Sequence, residues 1–177
     1  MKLTWFGGTT IRVHIGGVIL VVDPAGAPVG IDRTELVSGA DRVFTLDGEG
    51  MPSGDAATWK PRRAGRLLDE DGTPPEVLVW AFGGGSVLVD AVDERPLLLV
   101  GQDVPKLGRW GSEAVIVLFG DGAQLAGQGM ALLEVHAPKA IALAGDEDAI
   151  DFAIDALREK LDGTGLFYLE PGMALEI

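Results

Sequence analysis

The chain contains no cysteine. Disulfides, thiolate metal ligands and a cysteine nucleophile are therefore excluded. Histidine is nearly as scarce, with His14 and His136 the only 2. Neither has a neighbour at metal-ligand spacing, so each reads as a surface or capping residue. Positive charge is also short: 14 Lys and Arg stand against 27 Asp and Glu, a formal net charge of −13. Such a surface repels nucleic acid and anionic membranes, and neither is an expected partner. The acidity reads as a solubility feature. No apolar run approaches the length of a membrane span. The first residues lack a signal-peptide core, so a cytoplasmic location is expected. Ser38, Ser53, Ser86 and Ser112 include no Gly-x-Ser-x-Gly elbow, which leaves a Ser-His-Asp set without its usual frame.

What remains is a globular chain. At 177 residues, 47% of them hydrophobic, it suits one domain over residues 1–177 with a sizeable core. The organising stretch is Met1 to Pro24. Leu3 to Ile15, interrupted at Gly7-Gly8, and Val18 to Val22 flank Gly16-Gly17, which predicts strand, glycine turn, strand. The unbroken apolar run Val18 to Val22 suits a strand buried on both faces.

Further along, Ile31 to Val37 reads as a turn or short helix and Arg42 to Leu46 as a strand. Pro52 to Pro75 is a polar excursion with one helical turn near Ala64 to Asp69, and it carries the basic cluster Lys60, Arg62, Arg63 and Arg66. That cluster reads as a solvated loop rather than an anion site. Glu76 to Ala81 and Ser86 to Val92 are strands around Gly83-Gly84-Gly85, a hairpin turn rather than a phosphate loop, because no Lys-Ser/Thr follows. Pro96 to Val100 and Ala114 to Phe119 are apolar strands, and Ala123 to Val135 is a helix weakened by Gly127 and Gly129. Asp146 to Leu161 is the clearest helix. Asp146 can cap it, Glu147, Asp148 and Asp151 suit its positive end, and Ile150, Ala153, Ile154, Leu157 and Leu161 form one apolar face. Leu166 to Leu169, Glu170-Pro171-Gly172 and Met173 to Ile177 read as strand, turn, strand.

Several of these stretches resemble the metallo-β-lactamase-like metal-dependent hydrolases, in the branch that includes ascorbate-6-phosphate lactonase. That branch opens with a Lys-Leu-Thr-Trp strand and has an apolar run ending in Asp-Pro. Lys2 to Gly7 and Val18 to Pro24 match it. The Pro138-Lys139 strand, the helix after it and the Pro-Gly ending match as well. The resemblance implies a four-layer αββα sandwich, an α/β fold of the metallo-β-lactamase type. It also implies a Zn or Mn site built on Thr-His-x-His-x-Asp-His. Here that stretch is Thr45 to Met51, with Leu46, Gly48 and Met51 at the histidine positions and Gly50 at the aspartate. Gly8 and Gly145 stand at two more histidine positions, and Gln102 stands where a metal-bridging aspartate belongs, with Asp103 beside it.

The resemblance therefore implies a degenerate member lacking the metal-binding histidines. Its expected role is that of a pseudoenzyme: a non-catalytic, metal-free module that binds a small ligand or a protein. Two alternatives stand beside it: a lactone or phosphodiester hydrolase with a rebuilt carboxylate site, and a structural or homo-oligomerising protein. The expected remnant cleft comprises Gly8, Asp23, Asp47, Gly48, Glu49, Gln102, Asp103, Gly145 and Asp146, widened at Gly8, Gly48 and Gly50. No catalytic residue, metal ligand or cofactor is assigned.

Overall fold

The computed structural model describes residues 1–62 and 77–177. Strands β1 (Lys2–Gly7), β2 (Thr10–Ile15) and β3 (Val18–Val22) form an antiparallel meander. The turn at Gly16-Gly17 is where the sequence predicts it. Helix α1 (Arg33–Val37) follows, capped by Asp32, whose carboxylate accepts from the amides of Thr34 and Glu35. Strand β4 (Arg42–Phe44) then runs parallel to β3.

The second sheet begins with the hairpin β5 (Leu78–Gly83) and β6 (Ser86–Asp90) and continues with β7 (Leu97–Val100). Gly83, Gly84 and Gly85 all have positive φ (77°, 58° and 66°), so they form the tight turn that their sequence signals. Next come β8 (Val115–Phe119), α2 (Gly122–Leu133), β9 (Ala140–Ala144), α3 (Glu147–Leu157) and β10 (Gly165–Tyr168). Strands β7 to β10 are parallel neighbours. Strand β11 (Ala174–Glu176) returns to pair with β1. The strand orders are β11-β1-β2-β3-β4 and β10-β9-β8-β7-β6-β5. The protein is thus a mixed α/β chain with two mixed sheets.

Alternation along the strands places three apolar layers. Leu3, Trp5, Ile11 and Val13 of the first sheet meet Val87, Val89, Val115, Val117 and Phe119 of the second. The opposite side of the second sheet presents Leu88, Leu98, Ile116, Leu118, Ile141 and Leu143 to Leu125 and Leu132 of α2 and Ile150, Ala153 and Leu157 of α3. Val21 packs outward against Ala27 and Leu36. β3 and β6 to β9 are therefore apolar without alternation because both of their faces are covered.

The C-terminal stretch corrects one expectation. Gly165–Tyr168 and Ala174–Glu176 are not a hairpin: β10 pairs with β9 in one sheet and β11 with β1 in the other. The Leu169 amide donates to the Leu143 carbonyl at 2.9 Å, and the Gly172 amide donates to the Trp5 carbonyl at 2.7 Å. Each short strand extends the edge of an established sheet, which gives its inward-facing backbone groups partners. Two boundaries also contract. β4 ends at Phe44 because the Leu46 amide turns to the Asp23 carboxylate at 3.3 Å instead of the ladder. α3 ends at Leu157 and tightens into a 3-10 turn, Arg158–Lys160.

Of the basic cluster, Lys60 is exposed and Arg62 is engaged. Its Nε donates to Asp90 Oδ2 at 2.6 Å and its Nη2 to the Asp90 carbonyl at 2.9 Å. Arg63, Arg66, the turn expected at 64–69 and Glu76 lie outside the described residues.

Candidate functional site

A cleft of about 410 Å³ opens where the loop after β1 meets the ends of β7, β8 and β9. Its apolar surface comes from Trp5 and Phe119, both almost fully buried. Its rim is small and uncharged: Gly8, Thr9, Gly101, Gly120 and Gly145, with the Gln124 carboxamide. Asp146 supplies the carboxylate that lines it.

The local structure follows from the sequence around each element. The Trp5 indole N–H donates to the Gly8 carbonyl at 2.9 Å, which ties the strand to the loop that forms one wall. Gln124 stands three residues after Asp121, which caps α2 by accepting from the Gln124 amide at 2.9 Å. Its side chain reaches across to donate to the Gly101 carbonyl at 2.8 Å. One turn further along α2, the Gln128 Nε2 donates to the Gln102 carbonyl at 2.6 Å, leaving its Oε1 buried without a partner among the described residues. These two glutamines fix the loop after β7 to α2. The sequence analysis did not select them; the Asp-x-x-Gln capping spacing was the available signal.

Only part of the expected remnant cleft comes together here. Gly8, Gly145 and Asp146 line it; Asp23, Asp47, Gly48, Glu49, Gln102 and Asp103 do not. Asp23 sits in left-handed backbone (φ 46°) at the end of β3, where its carbonyl accepts from the Thr10 hydroxyl at 2.8 Å. Together with its bond to the Leu46 amide, it organises the chain structurally. The Asp47 carboxylate accepts from the Thr45 hydroxyl and from the Glu49 amide. Those bonds, the hydroxyl first, hold its pKa below the ordinary 3.8. They close the 45–49 turn on an exposed loop. Gly48 is not a widening of the cleft: a β-carbon there would lie 2.4 Å from Ala81 Cβ, so its lack of a side chain lets the loop press onto β5. The β-carbon position at Gly50 faces open space. Asp103 packs on the β5–β6 turn, where its amide donates to the Gly84 carbonyl at 3.1 Å and its carbonyl accepts from Ser86 Oγ at 2.8 Å. Asp146 caps α3, accepting from the Ala149 amide at 2.9 Å.

The donors that line this cleft are mostly uncharged. Among the described residues no three of His, Cys, Asp or Glu gather into a metal-holding group. Leu46, at the first histidine position of the resembling motif, is 5% exposed and belongs to the core between the sheets. A β-carbon on Gly101 would come within 3.0 Å of Leu46 Cδ1, so the leucine covers the end of β7 with hydrocarbon. A neutral amide and glycine carbonyls orient a ligand by hydrogen bonds, yet they lack the charge that holds a dication. His14 lies on β2, away from the cleft, and His136 follows α2. Burial, then the charges of Arg12 and Lys2, lower the His14 pKa.

No family model matches the chain. No solved structure matches it either. The similarity found is to a class of protein, the metal-dependent hydrolases. The particular relative is a UPF0173 metal-dependent hydrolase from Cereibacter sphaeroides, 40% identical over 60 residues. That stretch covers 32% of this chain and 26% of the relative, so the match spans about a quarter of the relative's length.

Proposed function

We propose that the chain is one metallo-β-lactamase-type domain, a four-layer αββα sandwich, whose cleft binds a small organic molecule without a metal ion. The observation that carries this reading is the donor set. Leu46, Gly48, Gly50, Met51, Gln102, Gly8 and Gly145 stand where the resembling motifs need ligands. Leu46 is core, and the cleft presents a tryptophan, a phenylalanine, a hydroxyl and a carboxamide instead. Aromatic faces with a few fixed polar groups suit a neutral or cationic molecule of modest size. The single carboxylate that lines the cleft, Asp146, disfavours an anion. On this reading the protein is a binding module rather than a hydrolase.

The second reading, a metal-dependent hydrolase, is favoured by the 60-residue similarity. It requires carboxylates such as Asp47, Glu49, Asp103 and Asp146 to act together. Asp47 and Asp146 are already engaged in turn and cap bonds, and Asp103 packs on the β5–β6 turn.

One experiment separates the two. Purified protein is incubated with Zn²⁺, Mn²⁺ or Mg²⁺, gel-filtered, and measured for metal content and melting temperature. The binding-module reading expects substoichiometric metal and no thermal shift. Near-stoichiometric metal that raises the melting temperature, and is lost in Asp47→Ala or Asp103→Ala, supports the hydrolase. A small-molecule fragment screen followed on the Trp5 indole N–H resonance then tests occupancy of the cleft. That proton moves if the Gly8 wall is contacted.

A further inference from the structure

We propose that the open edge of β10 docks an extended polypeptide segment in which apolar residues alternate with Lys or Arg. β10 closes the second sheet and β11 closes the first, and residues of both line one hollow of about 340 Å³. Among the described residues, the backbone partners of β10 all lie on its β9 side, so the outer edge keeps its donors and acceptors unpaired. Phe167, Tyr168 and Met173 along this edge are 39%, 52% and 62% exposed. Soluble proteins ordinarily blunt such an edge with lysine, proline or a covering element. Neither hollow beside β10 is lined by any Lys or Arg, and Pro171, which lines the second, stands beyond the strand's end.

The two sides of β10 differ in chemistry. Toward β11 the hollow is mostly apolar, with Phe167, Met173 and Leu175, and Glu170 is its one acid. Toward α3 a second hollow of about 490 Å³ has Ile150 and Ile154 as its floor and Glu147, Asp151 and Glu170 at its rim. Tyr168 and Glu170 line both hollows, which makes the surface continuous across the edge. None of the three acids forms an ion pair among the described residues. The helix dipole accounts for Glu147 in the first turn of α3; Asp151, which the sequence analysis also assigned to the positive end, lies beyond that turn, and Glu170 lies outside the helix. A strand added to β10 would send successive side chains to opposite sides, apolar ones toward β11 and cationic ones toward α3. A second copy is the poorer occupant. It would bring two surfaces of net charge −13 together. This inference does not depend on what the cleft binds.

The probe is a fluorescein-labelled, end-blocked eight-residue peptide of alternating lysine and valine, with the glutamate-valine peptide as control, followed by anisotropy at low and high salt. Binding of the lysine peptide alone is expected, at least tenfold weaker in Glu147→Gln/Asp151→Asn/Glu170→Gln. It should be unchanged in Glu35→Gln/Glu113→Gln/Glu134→Gln, which removes as much charge elsewhere. Amide exchange at 165–168 should slow in the complex. Absence of binding, equal weakening in both triple variants, or unchanged exchange at β10 overturns the proposal. So does a concentration-dependent dimer abolished by Tyr168→Lys, because that assigns the edge to a second copy.

Discussion

Replacing Arg62 by methionine removes the cation that holds Asp90 at the end of β6. The Asp90 side chain is 5% exposed, whereas that of Arg62 is 29% exposed, so one end of the pair reaches water and the other does not. Breaking a buried pair by deleting one partner costs about 3–5 kcal/mol, because the remaining charge is stranded. The partial exposure of Arg62 places the expected loss near the lower bound, about 3 kcal/mol. For a protein of this size each kcal/mol moves the melting temperature by roughly 2–4 °C, so a fall of roughly 6–12 °C is expected. The assay is chemical and thermal denaturation of Arg62→Met, Asp90→Leu and the double variant, read as a cycle. The double variant should recover much of the loss, since a well-packed apolar pair replaces the ion pair without a stranded charge. Arg62→Lys should fall between wild type and Arg62→Met, because an ammonium keeps the charge but not the forked contact to carboxylate and carbonyl. A fall of less than about 1 kcal/mol in Arg62→Met, or a double variant no more stable than the worse single one, would refute the argument that burial makes this pair expensive to break.

The remaining predictions concern the cleft and its supports. Leu46→Ala should cost about 2–5 kcal/mol, as for any truncation of a leucine this deep in a core, which denaturant titration would show; a negligible cost would return the residue to the surface. Gly48→Ala should destabilise by about 1–3 kcal/mol or more, because φ is 77° and the new methyl would meet Ala81 Cβ, while Gly50→Ala, with φ 74° and open space, should cost only the backbone part. Gln124→Ala should cost about 1 kcal/mol and shift the Gly101 and Gly8 amide resonances, since the Gly101 carbonyl loses its donor. His14 has a folded pKa below the ordinary 6.5, so the folded state prefers it neutral. Its contribution is therefore complete above about pH 6.5 and is lost as pH falls through the lowered value. His14→Gln should remove that part of the acid-side loss, which urea melts at pH 7.5 and 5 would register.

The sequence by itself determined the local grammar. Asp146 announces a helix start because a side-chain oxygen beside a free amide is a local matter, and Asp32 and Asp121 cap α1 and α2 by the same chemistry. The runs 18–22, 97–100 and 115–119 announce strands covered on both faces because nothing polar interrupts them. The glycines at 16–17 and 83–85 announce reversals that only their backbone allows. The absence of ligand atoms at Leu46 and Gly48, and of a bridging negative charge at Gln102, was equally legible, since side-chain chemistry needs no coordinates.

Tertiary structure decided which distant segments meet. The distribution of Gly165–Tyr168 and Ala174–Glu176 to different sheets depends on which edges are open, and strand edges carry no sequence label. That Leu46 covers Gly101, that Gln124 reaches the Gly101 carbonyl, and that Arg62 was taken by Asp90 are contacts between residues far apart in the chain. Which of the expected residues line the cleft of about 410 Å³, Gly8, Gly145 and Asp146, is a matter of the same kind. Position in a motif says what a side chain can do. Only the packing of the sheets and helices says what it faces.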